Sequence, residues 1–275
     1  MSAAAFLSNH GLPVLDLRAE VASRGLLRLP DVRLVEDERQ GLVETWRGRM
    51  ASEYVSARVF AAMMPQAMAA GLSAADTLEL AKMAEEEIDH GIRCARVVAS
   101  LGEEPVTPLP PMPRVPTHDD AEPIEAFLRN VLDVSCVSET IAVALVGSER
   151  ELAGTPELRA ELEVILADEV GHARFGWRLV DAVVPTLPPA LRRRLGGFLA
   201  VTFRERLKRF ASFLTLDDAS DDAMALGAPA GPGTFRVFHE TITSVILPRL
   251  EAAGVPAGRA FEAAIADVGR TGASA

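Results

Sequence analysis

The spacing of apolar and polar positions along the chain predicts a protein built almost wholly from helices. Apolar residues recur every three or four positions through four long segments, which is the period of an amphipathic helix. Glycines, prolines and capping residues fall where this pattern breaks, as helix ends require. The pattern predicts four long helices, at about 42–69, 74–101, 120–147 and 155–184.

Local signals mark the ends of these helices. Pro65 is expected to kink or end the first helix, because proline lacks the N–H that the helix interior uses. Ser73 is expected to cap the second helix, and Thr155 with Pro156 to open the fourth. Pro123 falls in the first turn of the third helix, where proline is tolerated.

The rest of the chain divides into connections and shorter helices. Residues 102–120 contain six prolines and therefore predict an extended connection. The segment 217–233 is acidic and rich in Ala, Gly and Pro, so we expect a mobile loop. No β-hairpin signal is present, and the predicted fold class is all-α. Shorter helices are expected at about 16–23, 190–215, 234–252 and 257–268.

Composition narrows the class of protein. The 275 residues have a formal net charge of -11, with 49% hydrophobic and 24% charged residues, which is typical of a soluble globular chain. The acidic balance argues against binding to DNA, and two cysteines cannot form a disulfide framework. Residues 1–10 lack a basic stretch and a sustained apolar run. We therefore expect no signal peptide, no membrane association and a cytoplasmic location.

Two Glu-x-x-His motifs carry the candidate chemistry. Glu87 and His90 lie in the second predicted helix, and Glu169 and His172 lie in the fourth. Residues three apart share a helix face, so each motif can present a carboxylate and an imidazole to one metal ion. Two such motifs are typical of a helical bundle that holds two metal ions, provided that the other two helices each supply a glutamate.

Both other helices carry a glutamate on an apolar face. In the third helix, Glu139 interrupts a stripe that runs from Leu128 to Val146. A carboxylate there is costly to bury unless it is protonated, paired or bound to metal. In the first helix Glu53 lines up with apolar residues, with a surface pair to Arg49 as the alternative.

The spacing of these glutamates agrees with the predicted turns. Glu53 and Glu87 are 34 positions apart with a midpoint beside Gly71. Glu139 and Glu169 are 30 positions apart with a midpoint at Gly154. Antiparallel helices about each glycine would bring both glutamates of a pair to the same height. The chain therefore predicts two helical hairpins, joined by an extended crossover at 102–122.

On these residues the segment 42–185 resembles the ferritin-like di-iron carboxylate superfamily. The resemblance implies a ferritin-like four-helix bundle with a long crossover between helices 2 and 3, plus additional C-terminal helices. It also implies two Fe ions, or a manganese/iron pair, with O2 as a co-substrate. One ion would be bound by Glu53, Glu87 and His90 and the other by Glu139, Glu169 and His172, with Glu87 and Glu169 as bridges.

Departures from narrower groups point to the oxidase and oxygenase branch of that superfamily. Rubrerythrins usually carry a further glutamate where this chain has Ala142. R2-type ribonucleotide reductase subunits carry a radical tyrosine where it has Cys94, and N-oxygenases of the p-aminobenzoate type carry an extra histidine where it has Ile165. The C-terminal residues resemble the helices that wall a substrate cavity in di-iron oxidases.

We therefore expect one domain in three parts: an N-terminal extension (1–40), the di-metal bundle (41–185) and C-terminal helices packed on it (186–275). The expected activity is O2-dependent hydroxylation, desaturation, N-oxygenation or C–C cleavage of a small organic substrate. Electrons would come from an external reductase or ferredoxin. A non-catalytic iron-handling or ferroxidase protein and a tRNA-modifying di-iron hydroxylase are the alternatives, and a homodimer is an open possibility.

Other polar and reactive residues have simpler interpretations. Cys94 and Cys136 should line the bundle near the metals as small buried side chains, with a redox role as the alternative. Asp133 should be solvated, and His239 and Glu240 should be partly exposed. Four charged residues beside the first motif are predicted to lie on the surface, away from the inward-facing stripe: Glu85, Glu86, Asp89 and Arg93.

The helix predicted at about 190–215 carries a basic cluster. We interpret it as a solvated helix face, with docking of an acidic redox partner as the alternative. The cluster consists of Arg192, Arg193, Arg194, Arg204, Arg206, Lys208 and Arg209.

Overall fold

The computed structural model describes residues 13–111 and 114–272, and it is predominantly helical, which confirms the all-α class. The signal-peptide prediction at residues 1–10, including His10, lies outside the described residues. The α-helices are α1 (Arg18–Arg24), α2 (Glu36–Ala69), α3 (Ala74–Ser100), α4 (Pro123–Val131), α5 (Glu139–Leu152), α6 (Pro156–Val183), α7 (Pro189–Ala211), α8 (Asp221–Met224), α9 (Pro232–Thr241), α10 (Leu247–Ala252) and α11 (Ala257–Gly272). Short π-helical segments, Leu132–Ser138 and Ile242–Ile246, join α4 to α5 and α9 to α10.

The helices α2 and α3 form the first hairpin. Gly71 takes a φ of 77° in the turn between them, a conformation that glycine adopts without strain. Ser73 caps α3 as predicted, in a reciprocal capping box with Asp76. Pro65 is expected from the sequence to kink or end the first helix. It does not end the helix, because α2 continues to Ala69. Its last turns are held by packing, since Ala67 is fully buried.

The second hairpin pairs α5 with α6. Because the π-helical segment joins α4 to α5, one continuous helix, Pro123–Leu152, runs past the predicted end at Gly147. In the turn that follows, the Gly154 N–H donates to the carbonyl of Ala225 (2.9 Å), and a Cβ on Gly154 would lie 3.1 Å from the Ala225 Cβ. The two hairpins also contact each other, α3 against α6 and α2 against α4.

A small antiparallel sheet ties the N-terminal segment to the crossover. Strand β1 (Val14–Asp16) pairs with β2 (Val106–Pro108). The described residues of the crossover between α3 and α4, 101–111 and 114–122, contain no helix, as the prolines predict. The sequence pattern did not predict the sheet, because each strand has only three residues and the two are far apart in the chain. Pro108 is compatible with it because both strands are edges.

The segment 217–233 is not the simple loop that its composition predicts. It contains α8, and the Trp46 indole N–H donates to the carbonyl of Leu226 (3.0 Å). Gly227 takes a φ of 86° directly against the Trp46 ring. Burial of Leu226 and the hydrogen bond to a buried indole explain why this acidic, glycine-containing segment docks on α2.

Two apolar clusters form the core, and both use residues from outside the two hairpins. The larger one extends from the hairpins into α7, α9, α10 and α11. The smaller one includes Leu15, Leu17 and Val21 together with Trp46 and Leu162. The N-terminal segment and the C-terminal helices therefore contribute to the same core as the hairpins.

Among the described residues, one helix, Pro123–Leu152, is long and apolar enough to cross a membrane by length and composition. A core helix passes the same test. This helix carries the buried polar residues Glu125, Asn130 and Glu139, and it packs against α6.

Candidate metal centre

All six predicted ligand residues meet in one place between the hairpins. Their ligand atoms form two groups, and within each group all atoms lie within 4.8 Å of one another. Both groups lie in the interior; Glu53 is half-buried and the other residues are buried. One group is Glu53, Glu87, His90 and Glu169, and the other is Glu87, Glu139, Glu169 and His172.

Glu87 and Glu169 belong to both groups because each spans the gap between the two imidazoles. The Oε2 of Glu87 lies 3.8 Å from His90 Nδ1, and its Oε1 lies 3.3 Å from His172 Nδ1. Glu169 mirrors it, with Oε1 3.5 Å from His90 Nδ1 and Oε2 3.5 Å from His172 Nδ1. Each of these carboxylates thus offers one oxygen to each side, as a bridging ligand would.

Five ligand atoms at this centre are buried without a hydrogen-bond partner in the described part of the chain. They lie on four residues that face one another, and leaving such atoms unsatisfied is costly. A cation among them would satisfy all five, so these residues fit a metal centre. The atoms are Oε1 and Oε2 of Glu87, Oε2 of Glu169, and Nδ1 of His90 and His172.

The electrostatics of the centre also favour a cation. Burial, and then the Glu87 carboxylate, raise the pKa of Glu53 well above the ordinary value of 4.5, and burial, and then the Glu169 carboxylate, do the same for Glu139. Burial opposes ionisation of Glu87, but the imidazoles of His172 and His90 outweigh it and lower the pKa of Glu87 to about 2.

His172 responds in the opposite direction. Burial lowers its pKa, but the Glu169 and Glu87 carboxylates outweigh burial and raise the pKa of His172 to about 11. Protons are thus held wherever negative charge accumulates. Two divalent cations would neutralise the four carboxylates, and mixed carboxylate and imidazole ligation suits iron or manganese.

The far side of each imidazole is held by an acid from the opposite motif helix. His90 Nε2 on α3 lies 3.2 Å from Asp168 Oδ2 on α6, and His172 Nε2 on α6 lies 3.1 Å from Glu86 Oε2 on α3. A carboxylate on Nε2 keeps the proton there and leaves Nδ1 free to bind a metal. The sequence pattern predicted neither role, and Glu86 is half-buried rather than on the surface as expected. The available signal was an acid directly before the glutamate of each motif.

The other charged residues beside the first motif form ion pairs. Asp89 pairs with Arg24 (2.5 Å) and with Arg93 (2.7 Å), while Glu85 is exposed as predicted. Arg49, the alternative partner of Glu53, donates instead to Glu149 (2.8 Å). The surface pair weighed against a ligand role for Glu53 is therefore not formed.

Both cysteines are buried, as expected for small core side chains. Cys136 is fully buried in the larger cluster and Cys94 nearly so in the smaller one. Burial raises the pKa of both thiols, with the Glu53 carboxylate adding to the effect at Cys94. A protonated thiol is a poor nucleophile, which favours the packing role.

A cavity of about 540 Å³ reaches the centre from the carboxylate side. The four glutamates line it, with apolar residues from α2, the crossover and the helix Pro123–Leu152 around them. Helix α7 lines it with Arg206, Arg209 and Phe210, while the helix predicted at about 234–252 supplies none of the described lining residues.

This cavity changes the interpretation of the basic cluster on α7. Arg206 is half-buried and donates to Asp133 (3.0 Å), which is therefore paired rather than simply solvated. Arg194 donates to the buried Glu125 (2.6 Å). The solvated-face interpretation therefore fails for Arg206, whose side chain is 23% exposed, whereas Arg194 stays 54% exposed while it pairs with Glu125. His239 and Glu240 are exposed as expected.

No protein-family model matches this chain, and no curated protein matches its sequence. The fold and the site therefore define a broad class: a helical protein with a buried glutamate and histidine cluster that can hold a metal ion.

Proposed function

We propose that this protein is a di-iron carboxylate oxidase of ferritin-like topology that uses O2 to oxidise a small organic substrate. The observation that carries the proposal is the sharing of Glu87 and Glu169 between two ligand groups, each with its own histidine and its own further glutamate. One such group would fit one ion, and two groups with common carboxylates fit two ions side by side.

The connection of the helices supports the ferritin-like assignment. Each hairpin contributes one glutamate from its first helix and one Glu-x-x-His from its second, and residues 101–122 cross between the hairpins. Ferritin-like carboxylate proteins arrange their ligands in this pattern.

Two reduced iron ions at this centre would supply the two electrons with which O2 is activated. The protein's own part is to hold and shield them. Glu53 and Glu139 would each ligate one ion beside the cavity, and Asp168 and Glu86 would keep the protons on the Nε2 atoms. Apolar side chains such as Val134, Ile141 and Leu145 restrict water at the place where a substrate would lie.

Electrons for repeated turnover would come from a separate reductase or ferredoxin. The cavity volume lies within the range of small-molecule sites, about 300–1,000 Å³, which favours a small organic substrate over tRNA. It also favours an oxidase over an iron-storage protein, because storage requires no apolar cavity beside the centre.

Stopped-flow mixing of the anaerobic Fe(II) protein with O2 tests the proposal. We expect a transient near-ultraviolet or visible absorption in the wild type and none in Glu139→Ala, which removes a ligand beside the cavity. Glu163→Ala, which changes an exposed glutamate on α6, is the control and should behave like the wild type. Uptake of many irons per chain without such a transient would contradict the oxidase and favour iron handling.

A further inference from the structure

The outer part of the cavity is positively charged. Three guanidinium side chains line it: Arg114 on the crossover, and Arg206 and Arg209 one turn apart on α7. Outside the four glutamates of the metal centre, Asp133 is the acid among the described lining residues. Cations therefore outnumber acids at this end of the cavity, although the whole chain is acidic.

The two arginines of α7 differ in what holds them. Arg206 is fixed by Asp133 (3.0 Å) and by the hydroxyl of Ser138 (2.6 Å). Arg209 is exposed where it lines the cavity, and it forms no ion pair with an acidic residue in the described part of the chain. The surrounding protein, and then the charge of Arg206, lower the pKa of Arg209, and no acid in that part of the chain offsets them.

Apart from the charged residues, most of the residues that line the cavity are apolar. Val59 comes from α2, Ile141 and Leu145 from α5, and Phe210 from the end of α7. A molecule that fills this space would have an apolar body, and its outer end would meet Arg209. An anionic end group is the natural partner of an unpaired guanidinium, because carboxylate and phosphate oxygens match its fork of N–H donors.

We propose that the substrate is an amphiphilic organic anion, whose oxyanion binds Arg209 at the outer end of the cavity and whose apolar body extends toward the metal centre. Arg206, held by Asp133, orders the same wall, and Arg114 adds charge from the crossover. That the bound anion is a substrate rests on the proposed function, whereas the anion site itself does not depend on that function.

Calorimetric titration of the anaerobic Fe(II) protein tests this site. The probes are octanoate and 4-phenylbutyrate, each compared with its alcohol, octan-1-ol and 4-phenylbutan-1-ol, and octyl phosphate, which distinguishes a phosphate from a carboxylate end group. We expect the anions to bind more tightly than the alcohols. Arg209→Gln should weaken anion binding about ten- to hundredfold and leave alcohol binding unchanged.

The control is Lys208→Gln, which removes the same charge one position away. Lys208 is exposed, lies 3.6 Å from Glu205 and does not line the cavity. Arg209→Lys should retain part of the preference for anions. Alcohols that bind as tightly as their acids, or equal losses in Arg209→Gln and Lys208→Gln, would overturn the proposal.

The same titration without iron separates this inference from the proposed function. Anion binding that depends on Arg209 in a protein that takes up no iron would support the anion site and contradict the oxidase. Binding of two irons per chain without a preference for anions would support the di-iron centre and contradict the anion site.

Discussion

At the scale of single residues, the main feature of the centre is the exchange of acids between the two motif helices. Each Glu-x-x-His is preceded by an acid, and that acid holds the histidine of the other motif. Asp168 and Glu86 thereby orient both imidazoles, with Nδ1 toward the shared carboxylates. The arrangement makes the two halves of the centre depend on each other.

Removing either of these acids should weaken metal binding without removing a ligand. We expect Asp168→Ala and Glu86→Ala each to lower Fe(II) affinity about 10- to 100-fold, since such partners fix the ring and its tautomer. Anaerobic competition with a chromophoric chelator measures the affinity. The matched control is Glu85→Ala, an exposed acid next to Glu86, and equal effects in the three variants would contradict the role.

The six candidate ligands were predictable because they break a local rule. A carboxylate on an apolar helix face, such as Glu139, or a carboxylate three residues before a histidine is visible in one helix alone. Asp168 and Glu86 were not predictable in this way, because their partners lie on another helix. Which residue of α6 faces which residue of α3 depends on how the helices pack, and the sequence pattern does not determine that.

At the scale of elements, the helix Pro123–Leu152 has the most unusual geometry. Its π-helical segment, Leu132–Ser138, ends directly before Glu139. α6 approaches this segment closely at Gly176, where a Cβ would lie 2.5 Å from the Ser135 Cβ. Local π-helical turns are frequent at functional sites, and here one leads directly into Glu139, a candidate ligand. Periodicity did not predict the segment, because a single wider turn leaves the apolar stripe largely intact.

The start of the same helix is held to α7 by an ion cluster around the buried Glu125, in which Arg194 is 54% exposed. Glu125 is 1% exposed and accepts from Arg129 (2.8 Å) and from Arg194 (2.6 Å). These partners change the pKa of the Glu125 carboxyl. Arg194 lowers it, burial raises it, and Arg129 lowers it further, so that the pKa lies below its ordinary value of 4.5. The carboxylate form is therefore the one that the fold stabilises.

We expect Glu125→Gln to lower the free energy of unfolding by about 2 kcal/mol at pH 7, because it leaves charge-assisted hydrogen bonds unmade. A carboxyl whose pKa is lower in the folded than in the unfolded state stabilises the fold at pH values above the pKa of the unfolded state. This stabilisation is lost as the pH falls. The difference between wild type and variant should therefore shrink below about pH 4.5.

Urea unfolding at pH 7 and at pH 3.5 measures both quantities. Glu262→Gln, an exposed glutamate on α11, provides the control. A difference between wild type and Glu125→Gln that stays constant or grows on acidification would show that the cluster does not act in this way.

Long periodic elements were predicted well and short irregular ones were not. The four long helices occur, because each buries a continuous apolar face. The pair β1 and β2, and the docking of 217–233 on Trp46, depend on contacts between distant parts of the chain. Composition indicates the polarity of such a segment, but not whether another element offers it a hydrogen bond and an apolar surface.

At the scale of the whole molecule, the candidate centre lies where the two hairpins meet, and one of the C-terminal helices lines the cavity beside it. α7 lines the cavity, and α11 packs along α7. The hairpins thus carry a cluster that can hold a metal ion, and α7 lines the cavity beside it. The sequence pattern predicted the helix, but not that Arg206 and Arg209 on its basic face line a cavity, because the cavity forms only after packing.

The stoichiometry of iron binding tests the central claim most directly. Anaerobic titration of the metal-free protein with Fe(II), followed by measurement of iron bound per chain, should give about two ions for the wild type, since two ligand groups share Glu87 and Glu169. The double variant Glu87→Ala/Glu169→Ala, which removes both shared carboxylates, should lose both ions. One ion or none in the wild type would contradict the di-iron centre.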